Sequence, residues 1–218
     1  MKKSLLAVCV VLASAVGANA ATITYTDSAA FFAALGATPF TTETYEGLPV
    51  DSTIPAGATV NGITYTSFPT GTSGRIASNY GAIDDLSLAR TGIPGISDFF
   101  FPGQSVDISF APTTAIGVFI NVGASPSGSL FIQTAVGTAE NDQPTTNQQT
   151  LNFLGLISDS PFSSARIGAT TSATSGYNLD NLTRATIPTT PVPDPASTML
   201  LMGSALLALR ISTRRSVL

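Results

Sequence analysis

From residue 105 to residue 110 polar and apolar side chains alternate without a break, Ser105, Asp107 and Ser109 against Val106, Ile108 and Phe110. A period of two puts all three apolar groups on one face of a strand and scatters them around a helix, so this segment can bury one face only as β-structure. Similar short runs, bounded by Gly, Pro, Asn and Ser, predict strands at Phe40–Tyr45, Gly62–Phe68, Ser105–Phe110, Ala115–Val122, Ser129–Val136, Thr150–Leu156, Ser163–Ala169 and Tyr177–Ile187. Ala115–Val122 is apolar almost throughout and is expected to be central. One helix interrupts this pattern. Asp27 can cap Ser28–Leu35, Phe31, Phe32 and Leu35 fall on one side, and Gly36 can take the left-handed residue that ends it. The expected fold is all-β, a two-sheet antiparallel sandwich with one short N-terminal helix and Phe110, Phe119, Ile120, Leu130, Ile132, Phe153 and Ile167 in its core.

Both ends of the chain differ from this middle. Lys2 and Lys3, an apolar run from Leu5 to Val16, and Ala18-Asn19-Ala20 have the three parts of a secretory signal over residues 1–20, with cleavage expected after Ala20. At the other end a Pro/Thr linker over 188–195, containing Val192-Pro193-Asp194-Pro195, leads into an apolar stretch. That stretch is expected to form a transmembrane helix over 196–213, followed by a basic cytoplasmic end at 214–218. The uncharged core of that helix is short, and Arg210 can extend its stem toward the headgroups while Arg214 and Arg215 favour a cytoplasmic end. The domain between, 21–187, is long enough for a single sizeable core.

Composition removes several chemistries. The chain has no histidine, and its one cysteine, Cys9, lies in the signal, which leaves the mature domain without an imidazole relay, a thiolate or a Cys/His metal site. Leaving aside the ends, twelve acids face Arg75, Arg90, Arg166 and Arg184, a formal balance of 4 − 12 = −8. Such a domain repels phosphate backbones, and nucleic-acid binding is not expected. Thr, Ser, Gly and Asn supply most of its polarity.

The tail resembles the PEP-CTERM sorting module: Pro193-Asp194-Pro195, with Asp in place of the family's Glu, then a short apolar helix and the arginines Arg210, Arg214 and Arg215. The resemblance implies processing by an exosortase after passage through the secretion machinery, in a Gram-negative exopolysaccharide producer. The protein would then be exported across the inner membrane and anchored there transiently, ending in the envelope or outside the cell. The domain also resembles the ectodomains that precede such tails, through Thr22-Ile23-Thr24-Tyr25, Tyr45-Glu46-Gly47-Leu48, Gly62-Ile63-Thr64-Tyr65, Phe153-Leu154-Gly155 and Leu179-Asp180-Asn181-Leu182. That likeness implies a lectin-like or jelly-roll β-sandwich and brings no known activity.

Two functions follow as expectations. One is a non-enzymatic surface or matrix protein that binds exopolysaccharide; the alternative is a glycan-active hydrolase or lyase of the envelope. Hydrolysis needs two carboxylates at about 5 to 9 Å. Glu43 and Glu46, the nearest pair, point to opposite faces of a strand. By analogy with carbohydrate-binding jelly rolls, Glu46 and Asp180 could hold a structural calcium ion, helped by Asn178 or Asn181, but they read more simply as a turn residue beside Gly47-Leu48-Pro49 and an Asx-turn or edge residue, and no other cofactor is expected. Asp84-Asp85 and Glu140-Asn141-Asp142 read as solvated turns, and Asn181-Leu182-Thr183 as a chance sequon. Phe99-Phe100-Phe101 reads either as a buried crossing or as an exposed platform for sugar rings, with burial preferred because large aromatics usually supply core area. Arg75 and Arg90 could grip an acidic sugar but read more simply as solubilising charges.

Overall fold

The computed structural model describes residues 20–69, 72–78, 86–90, 99–145 and 150–188. The cleavage residue Ala18, the Val192–Pro195 motif, the helix over 196–213, the arginines at 210, 214 and 215 and the Asp84-Asp85 pair lie outside them. Among the described residues no helix is long and apolar enough to cross a membrane. Ala20–Pro188 forms one compact unit.

That unit is antiparallel β-structure with one helix, in the order β1 (Thr22–Tyr25), α1 (Ser28–Leu35), β2 (Phe40–Glu43), β3 (Thr53–Ile54), β4 (Thr59–Val60), β5 (Ile63–Ser67), β6 (Gly74–Ser78), β7 (Leu86–Arg90), β8 (Ser105–Val122), β9 (Leu130–Thr134), β10 (Gly137–Glu140), β11 (Thr150–Ala169) and β12 (Tyr177–Ala185). The helix begins and ends where its caps dictate: Asp27 accepts the Ala30 amide, and Gly36 ends it at φ 59°. Asn61-Gly62, both at positive φ, close the two-residue hairpin between β4 and β5.

The expected pair of separate sheets is instead one continuous hydrogen-bonded network, because two strands are far longer than the alternation suggested. β8 runs 18 residues and β11 runs 20. Their ladder is regular over Ala115–Val122 and again over Ser105–Ser109, and it breaks between Ile157 and Ser164, opposite Thr113. Pro112 and Pro161 lie in the irregular zone, where the ladder makes no demand on an amide that proline lacks. The first half of β8 therefore joins one group of strands, β10-β9-β11-β8-β5-β4, and its second half joins β1, β11, β12, β2, β7, β6 and β3.

The main core lies between the two groups. Ile63, Tyr65, Val106, Ile108, Leu130, Ile132 and Ile167 from the first meet Ile76, Leu88, Ile116, Val118, Ile120, Leu154 and Leu179 from the second. A smaller cluster seals the other side of the second group, where α1 sets Phe31 and Leu35 against Ala115, Phe153 and Ala185. Gly117 and Gly155 make that approach possible: a Cβ on either would meet a ring of Phe153 or Phe31 at 2.6 Å. Phe119, expected in the core, is half-buried at the margin of this cluster, its ring 5.0 Å from that of Phe153. Of the three consecutive phenylalanines only Phe100 is fully buried, bridged to Tyr177 by two 2.9 Å backbone bonds and stacked on its ring.

Candidate functional site

With α1 packed on the second group and the main core covering the inner side of the first, the outer side of the first group is left uncovered by the described residues. Residues directly opposite in antiparallel strands share a face. The register therefore aligns on it Thr138 with Gln133, Gln133 with Arg166, Arg166 with Asp107, Ser164 with Ser109, and Ser109 with Thr64. Every one of these is hydroxyl, amide or charged, and none is buried. Six neighbouring strands at about 4.8 Å give this polar strip a width of about 24 Å. It carries one half-buried ring, Phe131, opposite Gly168, where the missing side chain leaves the ring's neighbour low.

A groove of about 460 Å³ lies along this face, lined among others by Thr66, Asp107, Ser109, Gln133, Ser164 and Arg166. Its lining includes a forked ion pair: Arg166 Nε donates to Asp107 Oδ1 at 2.6 Å and Nη2 donates to Oδ2 at 3.0 Å. The hydrogen bond to Asp107, and then its charge, raise the Arg166 guanidinium above its ordinary value. Thr66 Oγ1 donates to the Asp107 carbonyl at 3.0 Å and ties β5 to the same position. The groove is therefore close to charge-neutral, with hydroxyl and amide groups beside a fixed donor–acceptor pair and apolar surface from Ile108, Ala135 and Ala165 between them.

No protein-family model and no curated protein matches the chain. Among solved structures, the catalytic domain of a GH87 alpha-1,3-glucanase in complex with tetrasaccharides aligns at 15% identity and a TM-score of 0.40, over 72% of this chain and 30% of that one. A second structure of such a domain, carrying a different substitution, gives 16% and 0.39 over the same shares. The chain thus spans less than a third of the length of the structures it matches, and similarity at that level assigns no activity.

The two residues that could hold calcium have different surroundings. Glu46 is exposed, and its Oε1 accepts the Leu86 amide at 2.7 Å. Asp180 is fully buried on β12, where its Oδ1 accepts the amide of Asn181, a residue at φ 49° in a bulge of the β12–β8 ladder. The acid that shares Asp180's influence on Tyr45 is Glu43, not Glu46. Among the described residues no group of three or more acids is placed to hold a metal ion.

Sequence reasoning missed the role of Glu43. It is 5% exposed; Oε1 accepts the Tyr45 amide at 2.8 Å and Oε2 accepts from Asn61 Nδ2 at 2.6 Å. Tyr45 is held at φ 64°, a conformation costly for a bulky side chain, and its hydroxyl meets that of Tyr65 at 3.2 Å. Burial pushes both phenols far above their usual range, and burial also lowers the Arg184 guanidinium, which donates to the carbonyls of Asn61 and Gly62. This network, buried at Glu43 and the two tyrosines, fastens the turn after β2 to β5 and its hairpin, and Arg184 ties that hairpin to the last strand. Strand Phe40–Glu43 ends there, so Glu43 turns inward while Glu46 faces solvent.

The remaining singled-out residues serve the fold. Arg75 pairs with Asp51 at 2.6 Å. Arg90 is 7% exposed and packs its guanidinium 4.4 Å from the centre of the Phe101 ring. Asn141 braces the β9–β10 hairpin, its Oδ1 accepting the Leu130 amide at 2.8 Å.

Proposed function

We propose that this is an exported envelope or matrix protein, sorted by a PEP-CTERM-type tail, that binds polysaccharide without turning it over. In this account the signal is removed after Ala20, an exosortase cuts near Pro193-Asp194-Pro195, and the freed domain of lectin-like, jelly-roll type works among exopolysaccharide. The observation that carries the binding reading is the groove at the Asp107–Arg166 fork on an otherwise open polar face. Sugars are recognised by hydroxyl, amide and carboxylate groups in fixed positions, and a sheet face supplies these without the entropy cost of ordering a loop. Binding is favoured over hydrolysis because, among the described residues, Asp107 is the one acid lining this groove and is held by Arg166, whereas hydrolysis uses two carboxylates flanking the scissile bond.

A glycan array with the purified full chain tests this. Retention of specific polysaccharides without release of shorter products is the expected result; release of products would establish the hydrolase or lyase instead, and an array without signal would remove glycan binding. Mass spectrometry of the exported protein tests the sorting. The mature chain is expected to start at Ala21 and to lack Met199–Leu209 in a host with an exosortase. Retention of that segment would make the tail an ordinary anchor.

A further inference from the structure

We infer that the groove selects neutral glycans bearing adjacent hydroxyls, with the Asp107–Arg166 fork as the group that reads them; this rests on the polysaccharide reading above. The fork commits one full edge of the guanidinium to the carboxylate, at 2.6 and 3.0 Å. Arg166 keeps its Nη1 hydrogens and one on Nη2, and each Asp107 oxygen keeps lone-pair capacity. The pair thus offers donors and acceptors side by side while its charges cancel. A vicinal diol satisfies both at once: one hydroxyl donates to Asp107, and the neighbouring oxygen accepts from Arg166. Ser109, Ser164 and Gln133 flank the pair on the same face and extend the same chemistry to the next sugar.

An acidic sugar meets the opposite situation. Its carboxylate cannot reach Arg166 without lying against Asp107, which already occupies the edge suited to a bidentate anion. The pair is partly exposed, so neither charge is forced to seek a further partner. The domain around it carries a formal balance of 4 − 12 = −8 and opposes a polyanion at longer range. A groove meant for uronates would present an arginine without a carboxylate at its side.

Affinity electrophoresis of the full chain through gels containing matched polymers tests this, with a neutral galactan against polygalacturonate and a neutral dextran against carboxymethyl-dextran. At least one neutral polymer is expected to bind at least tenfold more tightly than its acidic counterpart, with little change on adding salt. Arg166→Lys and Asp107→Asn should each weaken that binding about tenfold or more, and so should Gln133→Ala, which leaves the ion pair intact and separates loss of recognition from loss of fold. Equal or tighter binding of the acidic polymers overturns the selectivity and leaves polysaccharide binding standing. Neutral binding unaffected by all three variants overturns the site. Binding of no polymer, here and on the array, removes both.

Discussion

Glu43→Ala is expected to be the most informative single change to the framework. The carboxylate accepts two bonds, one from the amide of Tyr45 and one from Asn61. Their losses differ. Tyr45 is 1% exposed, so its amide would be left without water or partner, at about 1–3 kcal/mol for a buried unsatisfied donor. Asn61 is exposed and can turn to solvent, which limits that loss to about 0.5–1 kcal/mol. The sum is about 1.5–4 kcal/mol, and at about 2–4 °C per kcal/mol for a domain of this size Tm should fall by about 3–16 °C. Glu43→Gln separates the bond from the charge. Its amide oxygen can still accept from Tyr45, and it should cost about 1 kcal/mol. Urea unfolding followed by circular dichroism measures both. A Glu43→Ala protein within about 0.5 kcal/mol of the parent, or a Gln variant as unstable as the Ala one, would refute the idea that Glu43 works by holding the Tyr45 amide.

Three further outcomes follow from burial. Arg90 is nearly enclosed and its Nε and Nη2 have no hydrogen-bond partner among the described residues, so Arg90→Met should leave stability unchanged or raise it by up to about 2 kcal/mol, and a loss above that size would mean that the charge is paired. Gly155→Ala would drive a Cβ to 2.6 Å from the Phe31 ring and should cost more than about 2 kcal/mol, whereas Gly47→Ala, with open space around it, should cost less than about 1 kcal/mol; equal losses in unfolding experiments would contradict the packing of α1. Tyr45, Tyr65 and Tyr177 have phenols raised by burial, and such groups stay protonated in the folded chain while the unfolded chain releases their protons from about pH 10 upward. Their contribution to stability is complete below pH 10 and is lost as pH rises beyond it, so unfolding at fixed temperature should set in above pH 10, with phenolate absorbance appearing together with loss of structure rather than before it.

Local chemistry was legible in the sequence and long-range register was not. The Asp27 cap and Gly36 lie within one turn of the helix they bound, so α1 could be read to the residue. The alternation at Ser105–Phe110 gave the inward and outward faces of β8 correctly. The runs Ser105–Phe110 and Ala115–Val122, and Thr150–Leu156 and Ser163–Ala169, read as separate strands, whereas Pro112 and Pro161 lie at an irregularity in strands that continue, so two long strands read as four short ones. Asn61-Gly62 is a hairpin signal that could have placed β4, but β3, at two residues, has no period to detect. Leu86–Arg90 is buried on both faces and shows no alternation. The groove depends on Arg166 meeting Asp107 from 59 positions away, a pairing fixed by the β8–β11 register after an irregular stretch, and nothing local to either residue announces it. Phe119 alternates with core residues, yet it lies toward the helix side, where α1 is too short to enclose it.

Covalent footprinting of the full chain with and without a bound neutral polysaccharide bears most directly on the claim that the open face of the β10-β9-β11-β8-β5-β4 group is the binding surface. Phe131, Gln133 and Arg166 are expected to lose reactivity in the complex, while Phe40, 50% exposed on β2, keeps its own. Binding that leaves Phe131 and Arg166 as reactive as in the free protein, or that protects Phe40 instead, would contradict it.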